Sequence, residues 1–445
     1  MAYPTKKIGL LDHLGAGNLG DDATLTAVIQ NIGRRWSATE FVALSMNPAD
    51  TIERHGISAF PIRRDTWVGT PVRGDTGFPA QAARPARQHT LSKKLKLLLQ
   101  RFGVLLAVLR LIKWAIIQAP LELFREAGFL ARSFKIVRSL DVLVISGGGQ
   151  LLDRSGGPWG FPYTIWKWLL LARICSVRRL VLNVGAGPLR HPLSIFFVRR
   201  SLRAADYVSF RDANSETLTK RIGFRGESQV VADNVYSLEV PKCYTNSRGS
   251  ANGSVVGLSP MAYCDPRFYY RKDQRLYSGF IDKMAVFAAG LIDRGFRVVL
   301  FSSDIVFDRQ AILELKQSIR ARIQAPSNNC VTDEPVNTTE EIFARISSMD
   351  YVVTCRFHGV VFAHLLKKPV LAVSHHDKVA SLMKDIGLTD YCIDIDRFEP
   401  AAALDKFELL VKHASSITAR MADKLVHYRA ELGRQFDRLF PAPSC

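Results

Sequence analysis

Short runs of consecutive apolar residues recur along the chain, each followed by small or polar residues and then by a segment with apolar positions every three or four residues. KIGLLD (7–12) leads into HLGAGNLGDD and ATLTAVIQNIGRRW, DVLVIS (141–146) into GGGQL, RLVLNV (179–184) into GAGP, and DYVSF (206–210) into RDANSETLTKRIG. After a polar stretch near 241–252 the pattern resumes. SVVGLS precedes a long amphipathic segment ending near Gly295, RVVLFSSD follows, MDYVVTC runs into RFHGVVFAHLLKK, and PVLAVS runs into HHDKVASLMKDIG. Strands that are apolar throughout, alternating with helices, predict parallel sheets covered on both faces. We therefore expect an α/β protein of two Rossmann-like parallel-sheet domains, 1–240 and 253–445, the second ending in a helix over about 402–440. Such sheets bind ligands beyond the carboxyl ends of their strands, where helix N-termini present free N–H groups. Asn18, Asp21, Gly147, Gly148, Gly149, Arg211, Arg356, His358 and Lys378 all fall at such positions.

Residues of about 60–138 interrupt the pattern. Between positions 84 and 138 there are twelve Lys/Arg and two Glu, a net of +10 out of a formal +19 for the whole chain. The run VLLAVLRLIKWAII (104–117) is shorter than the ~20 residues of a membrane span and carries two basic residues, so it reads as a helical insertion packed in its own domain or lying on an anionic membrane surface. The basic excess is interleaved with aliphatic runs, not with stacking aromatics, which disfavours nucleic acid. Seven scattered cysteines without paired spacing argue against a disulfide framework and a zinc site, and five or so apolar residues before the first glycine loop are too few for a signal peptide. A cytoplasmic location, with possible peripheral contact at the membrane's inner face, is the expectation.

Several strings carry candidate chemistry. In CRFHG (355–359), Arg356 and His358 precede a helix and are placed to meet one anion; a solvent-exposed arginine and a capping histidine are the plainer alternative. Arg211 in SFRD repeats the arrangement, with Asp212 or Asn214 placed to cap the next helix. HHDK (375–378) resembles no metal motif and offers Lys378 near a helix start as a phosphate contact; no metal is expected. GAGNLGDD (15–22) contains a literal G-x-G-x-x-G, but Asp21 and Asp22 stand where a pyrophosphate belongs and no acid ends the next strand, FVALS. That loop reads better as Asn18 and Asp21 bonding to hydroxyls, or Asp21 serving as a base. Gly148 and Gly149 permit close backbone approach to a ligand or make a tight turn.

Taken in order, the N-x-G-D element, the glycine triplet, S-x-R-D, R-x-H opening a late helix and a lysine twenty residues beyond that histidine resemble the polysaccharide pyruvyl transferases over about 8–395, the insertion excepted. The resemblance implies a two-domain fold like that of GT-B glycosyltransferases, phosphoenolpyruvate as co-substrate and no cofactor. It also implies a sugar diol of a polysaccharide or lipid-linked oligosaccharide as acceptor, and Arg211, Arg356, His358 and Lys378 in donor binding or catalysis. Phe357 stands where members often have leucine. On that reading arginine forks and a lysine hold the anionic donor, His358 protonates its methylene carbon, and Asp21 accepts the hydroxyl proton. A nucleotide-sugar glycosyltransferase, with Asp394 or Asp396 reading a ribose, stays open as the alternative.

Overall fold

A computed structural model describes residues 5–64, 119–153, 156–245, 254–269, 271–323 and 330–442. Two wholly parallel sheets carry the fold. The first, in spatial order, consists of Ser58–Pro61 (β3), Thr39–Ser45 (β2), Lys6–Leu11 (β1), Val142–Ser146 (β4), Arg178–Val184 (β5), Tyr207–Phe210 (β6) and Gln229–Val230 (β7). The second consists of Val331–Thr332 (β10), Arg297–Leu300 (β9), Val255–Ser259 (β8), Tyr351–Thr354 (β11), Val370–Ser374 (β12) and Cys392–Asp394 (β13). Central strands β4, β8 and β12 are buried at every position, as expected for apolar runs sandwiched between helices. Burying each Val, Leu or Ile in them is worth roughly 1.5–3 kcal/mol. Strand order reverses between β1 and β4 in the first sheet and between β8 and β11 in the second, which places a crevice at the ends of those strands.

The two sheets face each other and are joined by main-chain bonds. The loop after β1 lies along residues 303–305, with Leu19 N–H donating to Ser303 O (2.8 Å) and Ile305 N–H to Gly17 O (2.9 Å). Gly17 has φ +73°, and a Cβ there would come within 2.4 Å of Val306 Cγ2. Gly17 and Gly20 of the literal G-x-G-x-x-G thus let two domains touch, while Gly15 packs against Asn47 of its own domain.

The expected terminal helix over about 402–440 is two helices, Pro400–Lys412 and Ala414–Leu439, and the second returns to the first domain. Gln435 Nε2 donates to Asn183 Oδ1 (3.0 Å), and Gln435 lies in hydrogen-bond contact with Tyr207 and Ser209 as well. Asn183 sits at an irregularity in the β5–β6 pairing with φ +52°, which turns its side chain toward that helix. Arg35–Asp437 (2.7 Å) and Arg178 Nη1 to Leu439 O (2.7 Å) extend the contact. Of the insertion, residues 60–64, which end β3 and include Arg63, and the helix Ala119–Arg138 lie within the described residues; the 104–117 run does not. Among the described residues no helix is long and apolar enough to cross a membrane.

Candidate functional site

The first sheet contributes the wall around β1 and β4. Helix Leu19–Arg35 (α1) begins directly after the glycine loop, with Asn18 Oδ1 accepting from Gly20 N–H (3.0 Å) as its cap. Asn18 Oδ1 is therefore engaged by the helix start, which differs from the expectation that it binds substrate hydroxyls. In that same first turn Asp21 is buried, and its pKa is pushed up to about 8 by burial and by Asp22, against the opposing pull of Lys378 and Arg211. Asp12, at the end of β1, is fully buried and also raised by burial and by Asp21. It accepts from Gln150 Nε2 (2.8 Å) and His13 N–H (2.7 Å). The glycine run is fitted around these groups: Gly148, at φ +65°, would place a Cβ 2.9 Å from Asp12 Oδ1, and Gly149 would place one 3.8 Å from Arg211 Nη2.

Arg211 follows β6 and is only 9 % exposed, not on an open loop as its position at a strand end suggested. Its guanidinium lies against Gly185, where a Cβ would be 2.6 Å from Nη2. It donates from Nη1 to Asp233 Oδ2 (3.3 Å), and its buried Nε has no hydrogen-bond partner. Asp212 caps the following helix through Ser215 N–H (2.7 Å), as the sequence suggested.

From the second sheet, β11 delivers Arg356, Phe357 and His358 at the start of helix Phe357–Leu365 (α2 of the site). Phe357 crosses the cleft: its ring centroid is 4.2 Å from Arg211 Cζ and 6.0 Å from Lys378 Nζ, so the ring lies against both cations. Lys378 lies in the first turn of helix Asp377–Asp385, whose start is capped by His376. Asn214 and Ser381, 2.5 Å apart, join that helix to the one after Arg211.

His358 stands on the start of α1. A Cβ on Gly20 would fall 1.9 Å from His358 Nδ1. The imidazole is buried, its Nε2 has no hydrogen-bond partner, and Asp233 Oδ2 is 3.9 Å away. Burial, with help from Arg211 and Lys378 and against Asp233, pulls its pKa down to about 4. The near-neutral, proton-carrying histidine expected from the sequence is instead pushed toward the neutral imidazole, and the groups pushed toward their protonated form are the neighbouring buried carboxyls Asp12 and Asp21.

Arg356 also departs from expectation. Its fork is occupied: Nε and Nη2 bind Asp308 (2.7 and 2.5 Å) and Nη2 lies 3.2 Å from Asp304. Burial opposes its charge, but the two carboxylates outweigh burial and hold it firmly protonated. Asp308 in turn accepts from Ala262 N–H (3.0 Å) and Ser302 Oγ (2.6 Å), so Arg356 braces the loop that meets α1. The structure thus gathers Asp21, Gly149, Arg211, Phe357, His358 and Lys378 at one cleft, and adds Asp12 and Asp233. Asp233 follows a two-residue strand with no periodicity to reveal it; Asp12 ends the first strand, where its position was the only available signal. Among the described residues no group of three or more His, Cys, Asp or Glu is placed to hold a metal ion.

A family model described as "Polysaccharide pyruvyl transferase" matches residues 18–377. No curated protein matches the chain. Similar solved structures include a putative UDP-N-acetylglucosamine 2-epimerase from Listeria monocytogenes (TM-score 0.54, 8 % identity, covering 94 % of this chain and 91 % of that one). A glycosyltransferase from Rickettsia africae ESF-5 has TM-score 0.53 and 10 % identity, covering 98 % of each chain. A UDP-GlcNAc 2-epimerase from Methanocaldococcus jannaschii has TM-score 0.52 and 10 % identity, covering 90 % of this chain and 92 % of that one. At such identities they establish the fold, two facing parallel-sheet domains of the GT-B kind, and no more.

Proposed function

The chain belongs to the polysaccharide pyruvyl transferase family, and on that premise we propose that it moves the pyruvyl group of phosphoenolpyruvate onto two hydroxyls of a sugar, forming a cyclic ketal and releasing phosphate. One observation carries this reading: Arg211 and Lys378 flank the Phe357 ring, while beside them the buried Arg211 Nε and His358 Nε2 have no hydrogen-bond partner among the described residues. Phosphoenolpyruvate bears about three negative charges, and a carboxylate and a phosphate require separate cationic contacts. Arg211 meets the carboxylate and Lys378, at a helix start, the phosphate.

The protonation states then set the roles. Groups whose surroundings push their pKa values apart identify acid and base. Asp21, protonated at neutral pH, delivers its proton to the methylene carbon, which becomes the methyl group and leaves a cationic C2. A sugar hydroxyl attacks C2 and passes its proton to His358. Phosphate departs with that proton as the second hydroxyl attacks C2, and the second hydroxyl proton restores Asp21. No step calls on a cofactor. Arg356 holds the 302–308 loop against α1 and touches no substrate. An acceptor carried on lipid, brought close by the basic segment 84–138, fits the same reading, although most of that segment lies outside the described residues.

Phosphoenolpyruvate and a candidate glycan incubated with the protein in deuterium oxide test this function by mass spectrometry. The product gains a pyruvate ketal with one deuterium in its methyl group. Turnover of nucleotide sugars with phosphoenolpyruvate left intact would instead establish the glycosyltransferase alternative.

A further inference from the structure

Cationic character continues past the donor cations. His13, directly after β1, packs on Phe161 with ring centroids 3.7 Å apart. Its imidazole is pulled down to about 3 by burial and by three cations, Arg63, Lys378 and Arg211. Arg63 follows β3 and comes from a part of the chain that the donor site does not use. Its Nε donates to Thr164 Oγ1 (2.9 Å), its Cζ lies 5.1 Å from the Phe161 ring centroid, and its Nη2 is buried without a hydrogen-bond partner among the described residues. Burial weakens its hold on its proton, and no described carboxylate offsets that effect. Beside it, Lys167 is buried with Nζ 4.5 Å from the Phe129 ring centroid, and its pKa is pulled down to about 8 by burial and Arg63 against Glu126.

A guanidinium with a dehydrated, unbonded nitrogen is unfavourable unless a charge partner arrives. A planar fork backed by an aromatic ring and steered by a hydroxyl presents its remaining N–H groups to an oxyanion. His13 follows Asp12, whose carboxylate meets Gln150 and Gly148, and the adjoining Gly149 lies beside Arg211, so the Arg63–Phe161–His13 cluster borders the same cleft as the donor cations. Arg211 and Lys378 suffice for the two charged groups of phosphoenolpyruvate, which leaves Arg63 for a second ligand.

We propose that Arg63, with His13, Phe161 and Thr164, forms an oxyanion subsite that holds a charged group of the acceptor glycan, either a phosphate ester or a sugar carboxylate. The naming of its ligand as the acceptor rests on the pyruvyl transfer proposed above; the anion site itself does not. Calorimetric titration of the full chain tests it in a background carrying Arg211→Gln and Lys378→Gln, which removes the donor cations. Methyl phosphate and methyl glucuronate are the probes. One of them binds this background, its identity shows which anion the site prefers, and adding Arg63→Gln weakens binding at least about 10-fold, the scale of one lost charge-assisted contact. Equal binding with and without Arg63, or no binding of either probe, overturns the subsite. In otherwise wild-type protein, Arg63→Gln leaves phosphoenolpyruvate affinity within about 2-fold, whereas a loss of about 10-fold would assign Arg63 to the donor pocket and overturn the proposal. Should wild-type protein fail to bind phosphoenolpyruvate, the pyruvyl transfer falls while the probe titration still decides the subsite.

Discussion

His358 of the second domain rests on Gly20 of the first so closely that a single methyl group on Gly20 would lie 1.9 Å from His358 Nδ1. Gly20→Ala gains up to about 1 kcal/mol of local helix propensity, but the imidazole and its Cβ, 2.6 Å away, must move to admit the methyl group, so the contact between the domains shifts there. We predict a fall in turnover of at least about 100-fold with phosphoenolpyruvate affinity little changed. Normal turnover in a folded Gly20→Ala protein would remove His358 from the reaction.

Arg211 and Arg356 look alike in sequence and should behave differently. Arg211→Gln weakens phosphoenolpyruvate binding by ~1.5–3 kcal/mol, the worth of a charge-assisted contact, read by calorimetry on protein with a verified fold. Arg356→Gln instead leaves Asp304 and Asp308 buried without their cation and lowers unfolding free energy by about 3–5 kcal/mol. Denaturant titration measures that loss. Native stability in Arg356→Gln together with lost donor binding would reverse the assignment.

The raised pKa of Asp21 makes a prediction about pH. The folded protein retains a proton that the unfolded chain releases near 4, so this residue's contribution to stability declines as pH rises and is lost on passing about 8. Asp21→Asn removes that decline: its melting temperature relative to wild type increases between pH 7 and 9. The same variant turns over at least about 100-fold more slowly at every pH. A wild-type activity in Asp21→Asn shifts the proton delivery to another group.

His358 titrates in the opposite sense. Its folded pKa of about 4 lies below the unfolded value of 6.5, so its contribution to stability is present above pH 6.5 and is lost as pH falls toward 4. His358→Gln flattens the melting-temperature profile across that interval. An unchanged acid limb would show that the imidazole is already charged in the folded protein.

The strand ends were legible because apolar runs of four or more residues with glycine or polar stops leave a clear pattern, and Arg211, His358 and Lys378 were found by looking just past them. The difference between Arg356 and Arg211 was not legible, since Asp308 reaches Arg356 from 48 residues upstream through a loop without periodicity. Asp233 escaped for a similar reason: the strand before it, Gln229–Val230, is too short to register. Protonation was beyond the sequence altogether. His358 and Asp21 take unusual states only because two domains close over them and exclude water, and the surroundings of Arg63 come from Phe161 and Thr164, about a hundred residues away in the chain.

Gln435 in the terminal helix has one further consequence, for dissection of the molecule. The polypeptide crosses between its halves twice, once after Thr245 and once on the way back to Asn183, Tyr207 and Ser209. Cleavage at the first crossing leaves fragments that remain clasped through the second, so a nicked preparation should elute as one particle. Shortening the protein at His413 opens that clasp and strips the cover from a polar cluster in the first half. Split-protein complementation is therefore better attempted at the first crossing than at the second.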